Sequence, residues 1–265
     1  MTGATGEPVR QQRTTAANRW PSPLFVGLVL TTVVSGWALW TGYGSAGLFA
    51  FLFVAAAWVV SLCLHEFAHA VVAFRGGDRS VAERGYLTLD PLKYTHFAYS
   101  ILLPLLFVLL GGIGLPGGAV FIDRRHLRSR LTNSLVSLAG PLTNIGFAAA
   151  LAIALAGWGA DDVAHIDFWA AVAFLTFLQV TAAVLNSLPV PGLDGFGVIQ
   201  PYLSNKVLRK VAPIAPYAVL ILFVMLFIPP VNRAFFSIVV WFLELLGVPG
   251  WLADFGQTLF RFWLG

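Results

Sequence analysis

Long stretches with no charged residue and no histidine dominate the chain. One covers residues 20–64, and others cover 97–122, 131–160, 168–193 and 211–232. A helix needs roughly 20 apolar residues to cross a bilayer. The first stretch is long enough for two crossings joined by a turn at Thr41-Gly42-Tyr43-Gly44-Ser45. A last apolar stretch follows Arg233 and is interrupted by Glu244. Six or seven segments are therefore candidate spans. The runs are continuous rather than alternating, which favours helices over a membrane β-barrel.

Composition agrees. Hydrophobic residues make up 58% of the 265 residues and charged ones only 11%, against about 25% charged in an ordinary soluble domain. Mean hydropathy is +0.81. A soluble globular enzyme, a disordered chain and a nucleic-acid-binding protein are excluded. The expected fold class is an all-α polytopic membrane protein. The lone Cys63 rules out an internal disulfide. No small-residue cleavage pattern marks a removable leader.

Charge sets the expected topology. The net charge is +4, which in a membrane protein reflects basic loops gathered on the cytoplasmic side. If residues 97–122 dip into the membrane and return, every Lys and Arg except Arg233 falls on one side, opposite the acidic loop of Asp161, Asp162 and Asp167. If that segment crosses, the sixteen basic residues divide equally. We therefore expect six transmembrane helices plus a re-entrant, β-hairpin-like segment, with both termini cytoplasmic. The Gly-rich end, Gly111 through Gly118, suits such a loop, because irregular backbone at that depth needs cover from protein or water.

Chemistry concentrates in one span. His65-Glu66-Phe67-Ala68-His69 places two imidazoles about 40° apart on one helical face, suited to sharing one Zn²⁺. Glu66 lies beside them, where it can take a proton from water. Ionisable groups near a bilayer centre cost roughly 2.5–3.5 kcal/mol each even on lenient scales, and a metal compensates two His and a Glu together. Catalytic zinc usually has three protein ligands. Asp194 is the best third candidate, since it is the one charged residue between Phe168 and Asn205. It also matches His65 in depth, both lying roughly 15–18 Å from their basic helix ends. His96, His126 and His165 sit among loop charges, Cys63 points away, and Glu244 has no assigned role. Pro189, Pro191, Gly192, Gly195 and Gly197 break the chain around Asp194 and leave backbone groups free beside the site.

These motifs resemble those of the site-2 proteases, a family of intramembrane zinc metalloproteases. His65 to His69 matches the first family signature, and Asn186 to Gly195 matches Asn-x-x-Pro-x-Pro-x-Leu-Asp-Gly at every defined position. Gly140-Pro141-Leu142-Thr143-Asn144 is similar to a third, and Leu115 to Val120 to the family's membrane-associated loop and strand. The resemblance covers roughly residues 48–205. It implies His65, His69 and Asp194 as zinc ligands and Glu66 as catalytic base. It also implies that Asn144 helps hold the substrate or the oxyanion; on the residues alone, bonding to neighbouring helices is the alternative. The apolar segment Gly117 to Ile122, with Gly117, Gly118, Ala119 and Val120, is expected to pair as a strand with the unwound substrate. The chain reads as a member without the PDZ insertion and without a C-terminal nucleotide-sensing domain. It is expected to divide into an N-terminal tail (1–22), a membrane protease domain (23–250) and a C-terminal tail (251–265).

The expected function is cleavage of a peptide bond within or near a transmembrane segment. The expected partners are membrane lipid and a single-span membrane protein, such as an anti-sigma factor or a membrane-bound transcription factor. The expected setting is a bacterial cell membrane, with the site opening toward the cytoplasm. A zinc transporter would also place His and Asp inside spans, but it needs a polar path to both faces. A catalytically silent scaffold of the same fold would have no use for Glu66.

Overall fold

The structure is a computed structural model that describes residues 21–94, 121–159 and 162–264. The Gly117 to Val120 segment and most of the expected re-entrant loop lie outside the described residues. Among the described residues the regular elements are all helical.

The first span, α1 (Pro23–Thr41), starts at a textual signal common to helix N-termini: Ser22 accepts a hydrogen bond from the Phe25 amide, and Pro23 follows where no amide donor is needed. Gly42 ends it in the left-handed region (φ 66°). Helix α2 (Ala46–Gly76) is capped by Ser45 and runs for 31 residues. After the short α3 (Ser80–Glu83) come α4 (Arg130–Ala154), capped by Ser129 and extended by a π-helical turn, and α5 (Ile166–Asn186). Then follow α6 (Asp194–Ile199), α7 (Asn205–Val211), α8 (Ala215–Leu226), α9 (Pro229–Leu245) and α10 (Gly250–Phe260).

Among the described residues four helices are long and apolar enough to cross a membrane, and two bent pairs raise the number to six if each pair is one span. The chain is an integral membrane protein by this measure. Helix α5 is the central one. Its best apolar window is 83% buried, against 22% for α1. Phe174 and Leu178 of α5 form the core with Trp58 of α2, Val239 of α9 and Phe260 of α10. Helix α1 instead turns Leu30, Val33, Val34 and Trp37 outward, the arrangement expected of a helix that faces lipid.

The last two helices form a sharp corner. Helices α9 and α10 meet at 112°, because Gly247 adopts a left-handed φ of 72° and Pro249 follows it. Helix α10 then folds back onto α5, where Gly256 lies flush against the Ala170 carbonyl. Residues 250–260 thus form a packed helix. Phe262 reaches Gly47 and Phe51 at the start of α2. At the start of α1, the Ser22 amide donates to the Thr88 carbonyl (2.8 Å).

Candidate metal centre and active site

His65 and His69 stand one helical turn apart on α2, roughly 28 Å from its start and 16 Å from its end at 1.5 Å per residue. They are 4% and 6% exposed, and Glu66 between them is 3% exposed. Each imidazole is oriented from behind. His69 Nδ1 lies 2.6 Å from the Val136 carbonyl oxygen of α4. A carbonyl only accepts, so Nδ1 carries the proton and donates it. His65 Nδ1 lies 2.6 Å from Asn144 Oδ1 and donates likewise. Both Nε2 atoms are left with free lone pairs.

Asp194 arrives from the other end of the fold. Its position is built by the irregular link after α5, in which Gly192 has φ 95° and Pro189 and Pro191 prevent continuation of the helix. Gly195 sits against the Ser187 and Leu188 carbonyls, and Gly197 against Ser137. A side chain at Gly195 would push α6 off the link after α5, and one at Gly197 would push it off α4. The Ser134 hydroxyl donates to the Val198 carbonyl (2.6 Å) and fixes the same contact. Asp194 Oδ2 then lies 3.2 Å from His65 Nε2, and Oδ1 lies 3.3 Å from His69 Nε2. The two Nε2 atoms are 3.1 Å apart.

This triangle fits zinc. Donors about 2.0–2.1 Å from a tetrahedral metal stand about 3.3 Å from one another. Glu66 belongs to the one group of three or more metal-ligating side chains found among the described residues, with His65 and His69, ligand atoms within 4.8 Å of one another. Gly140 of α4 closes the centre on one side, since a Cβ there would overlap both Nε2 atoms.

The other expected residues fall as follows. Cys63 is fully buried in an apolar cluster, and its carbonyl accepts from the Tyr94 hydroxyl (3.0 Å). His126 pairs with Asp123. His165 is not simply solvated: it pairs with Asp162 (2.7 Å) and stacks on Trp40 with ring centroids 3.7 Å apart. His96 lies outside the described residues. Glu244 is exposed and lines a cavity with Asp254 and Trp251, in a different place from the His pair.

Asn144 stands behind His65, with Oδ1 toward the ring and Nδ2 donating to Gln179 Oε1 (2.8 Å). Gln179 is a site residue that sequence reasoning missed. It is fully buried on α5, and the only available signal was a lone amide in an apolar span. Arg124, counted from sequence as a loop charge, reaches inward and donates to Ser137 Oγ (3.1 Å), next to α6.

No protein-family model matches the chain, and no solved structure matches it. Curated relatives do. The chain is 46% identical over 248 residues to a Mycolicibacterium smegmatis protein named "Putative zinc metalloprotease Rip2", covering 92% of this chain and 94% of the relative. The Mycobacterium tuberculosis protein of the same name is equally similar over 249 residues. The chain belongs to the site-2 protease family. A more distant relative, "Putative zinc metalloprotease YwhC" of Bacillus subtilis, is 31% identical over 69% of this chain and 81% of its own length. As a site-2 protease family member, the chain is a membrane-embedded zinc metalloprotease, and the His-Glu-His group is the place where a metal fits.

Proposed function

We propose that the protein hydrolyses a peptide bond within or near the transmembrane segment of a single-span membrane protein. The observation that carries this is the depth of the site. His65, Glu66 and His69 are buried in the body of a 31-residue apolar helix, and Asp194 meets them there from α6. A protease acting on water-soluble segments has no need to place its centre at that depth, where polar groups are costly.

His65 and His69 present neutral nitrogens, and Asp194 contributes the negative charge that a divalent ion requires. Bound zinc supplies Lewis acidity and makes water acidic enough to attack near neutral pH. Glu66 takes the proton from the attacking water and delivers it to the leaving amine nitrogen. A helical substrate must unwind first, because its carbonyls are hydrogen-bonded and shielded. We assign Gly117, Gly118, Ala119 and Val120 to pairing with the unwound strand.

Arg75 stands in the last turn of α2, the basic residues Arg79, Arg84, Arg124, Arg125, Arg128 and Arg130 follow it in the chain, and the Arg128 amide donates to the Gly76 carbonyl (3.2 Å) at that end. By the positive-inside tendency this end faces the cytoplasm, and the site opens toward it. Substrates of this kind include membrane-bound transcription factors and anti-sigma factors of a bacterial cell membrane.

The test is reconstitution in liposomes with a labelled single-span substrate, followed by mass spectrometry of the fragments. The reading predicts new ends inside or beside the apolar segment, absent with Glu66→Gln although that variant keeps its zinc. Cleavage confined to aqueous segments, or full turnover by Glu66→Gln, would contradict it.

A further inference from the structure

The protonation pattern of His65 traces back through three side chains to one backbone carbonyl. The Ser61 hydroxyl donates to the Trp58 carbonyl (2.8 Å). Its oxygen therefore accepts from Gln179 Nε2 (2.8 Å). With its NH₂ committed to Ser61, Gln179 turns Oε1 to Asn144, which donates through Nδ2 (2.8 Å). Asn144 is then left with Oδ1 facing His65 Nδ1 (2.6 Å). Ser61, Gln179 and Asn144 are each 1% exposed or less, so water does not substitute for a missing partner. The relay joins α2, α4 and α5 and runs in one direction.

We infer that Gln179 is a positioning residue which, through Asn144, holds the proton of His65 on Nδ1 and so keeps Nε2 open as a zinc ligand. The inference rests on the proposed metal centre and concerns a residue outside its ligand set. An amide has a donor end and an acceptor end. If Gln179 no longer holds the NH₂ of Asn144, that amide can rotate and donate to His65 Nδ1 instead. The ring proton then moves to Nε2 and blocks the ligating lone pair. Outer partners that orient a metal-binding histidine typically influence affinity by about 10–100-fold.

Gln179→Met keeps length and shape while removing both hydrogen bonds. Asn144→Asp supplies an acceptor in either rotation, so it fixes the His65 proton on Nδ1 without help from Gln179. The experiment measures zinc affinity by chelator competition in detergent-solubilised wild type, Gln179→Met, and the double variant Gln179→Met with Asn144→Asp, with thermal unfolding of the metal-free forms alongside. The expected result is an affinity about 10–100-fold weaker in Gln179→Met, with most of it recovered in the double variant. Wild-type affinity in Gln179→Met would overturn the inference. So would a loss that Asn144→Asp does not recover while the metal-free double variant unfolds at the same temperature as Gln179→Met. Failure of wild type itself to bind zinc would instead overturn the metal centre, and the relay with it.

Discussion

His65 Nε2 and His69 Nε2 face each other at 3.1 Å, yet no hydrogen lies between them to bond. Each ring has its proton on the other nitrogen, fixed by Asn144 Oδ1 and by the Val136 carbonyl. Two lone pairs at that distance repel unless a cation lies between them, and the Asp194 carboxylate at 3.2 and 3.3 Å completes a cage for one. Asp194→Ala and His65→Ala should each weaken zinc binding by more than about 100-fold, beyond the usual loss from an outer partner. Zinc per purified chain, read by elemental analysis after dialysis against a chelator, checks this.

Gly140 permits this closeness. A methyl group there would occupy the space of both Nε2 atoms. Gly140→Ala should therefore remove zinc and activity together. Gly146→Ala on the same helix, where a Cβ meets nothing within 4 Å, should leave both unchanged. Equal zinc content in the two variants would refute the close-approach account.

Much of the centre was legible in the chain itself. His65 and His69 announce themselves by helical spacing, and Asp194 by being a lone acid in an apolar stretch. Gln179 was not legible, because a single amide in a span carries no spacing signal, and its partners come from α2 and α4. The Asn144 amide oxygen is turned to His65 by Gln179, a partner that only the packing reveals. The fold-back of α10 was not legible for a different reason. An uncharged run shows that a segment is apolar, but the local breaks at Gly247 and Pro249 decide which way it turns.

The contact between α10 and α5 should matter for stability and not for chemistry. Gly256 lies against the Ala170 backbone, which cannot yield as a flexible side chain would. Gly256→Ala should destabilise the fold by about 1–3 kcal/mol, the usual cost of overpacking. Thermal unfolding in detergent reads the loss, and turnover per folded molecule should stay at the wild-type level.

At the other end of the fold, Asp162 accepts from Trp169 Nε1 (3.1 Å) and from His165 Nδ1 (2.7 Å). The indole hydrogen bond, followed by those of His165, holds its carboxyl below the ordinary value. A depressed folded-state value means the stabilisation is complete above the unfolded carboxyl's pKa, about 3.9. It is lost as pH falls further, toward and through the folded value. Thermal midpoints should therefore fall more steeply below about pH 4 in wild type than in Asp162→Asn. Identical acid profiles would show that the contact contributes nothing.

X-ray absorption at the zinc edge of the purified, zinc-loaded protein tests the centre most directly. The account predicts one zinc per chain, bound by two imidazole nitrogens and carboxylate oxygen at about 2.0–2.2 Å, with the carboxylate contribution lost in Asp194→Asn. A chain that takes up no zinc, or a zinc whose surroundings are the same with and without the Asp194 carboxylate, would contradict it.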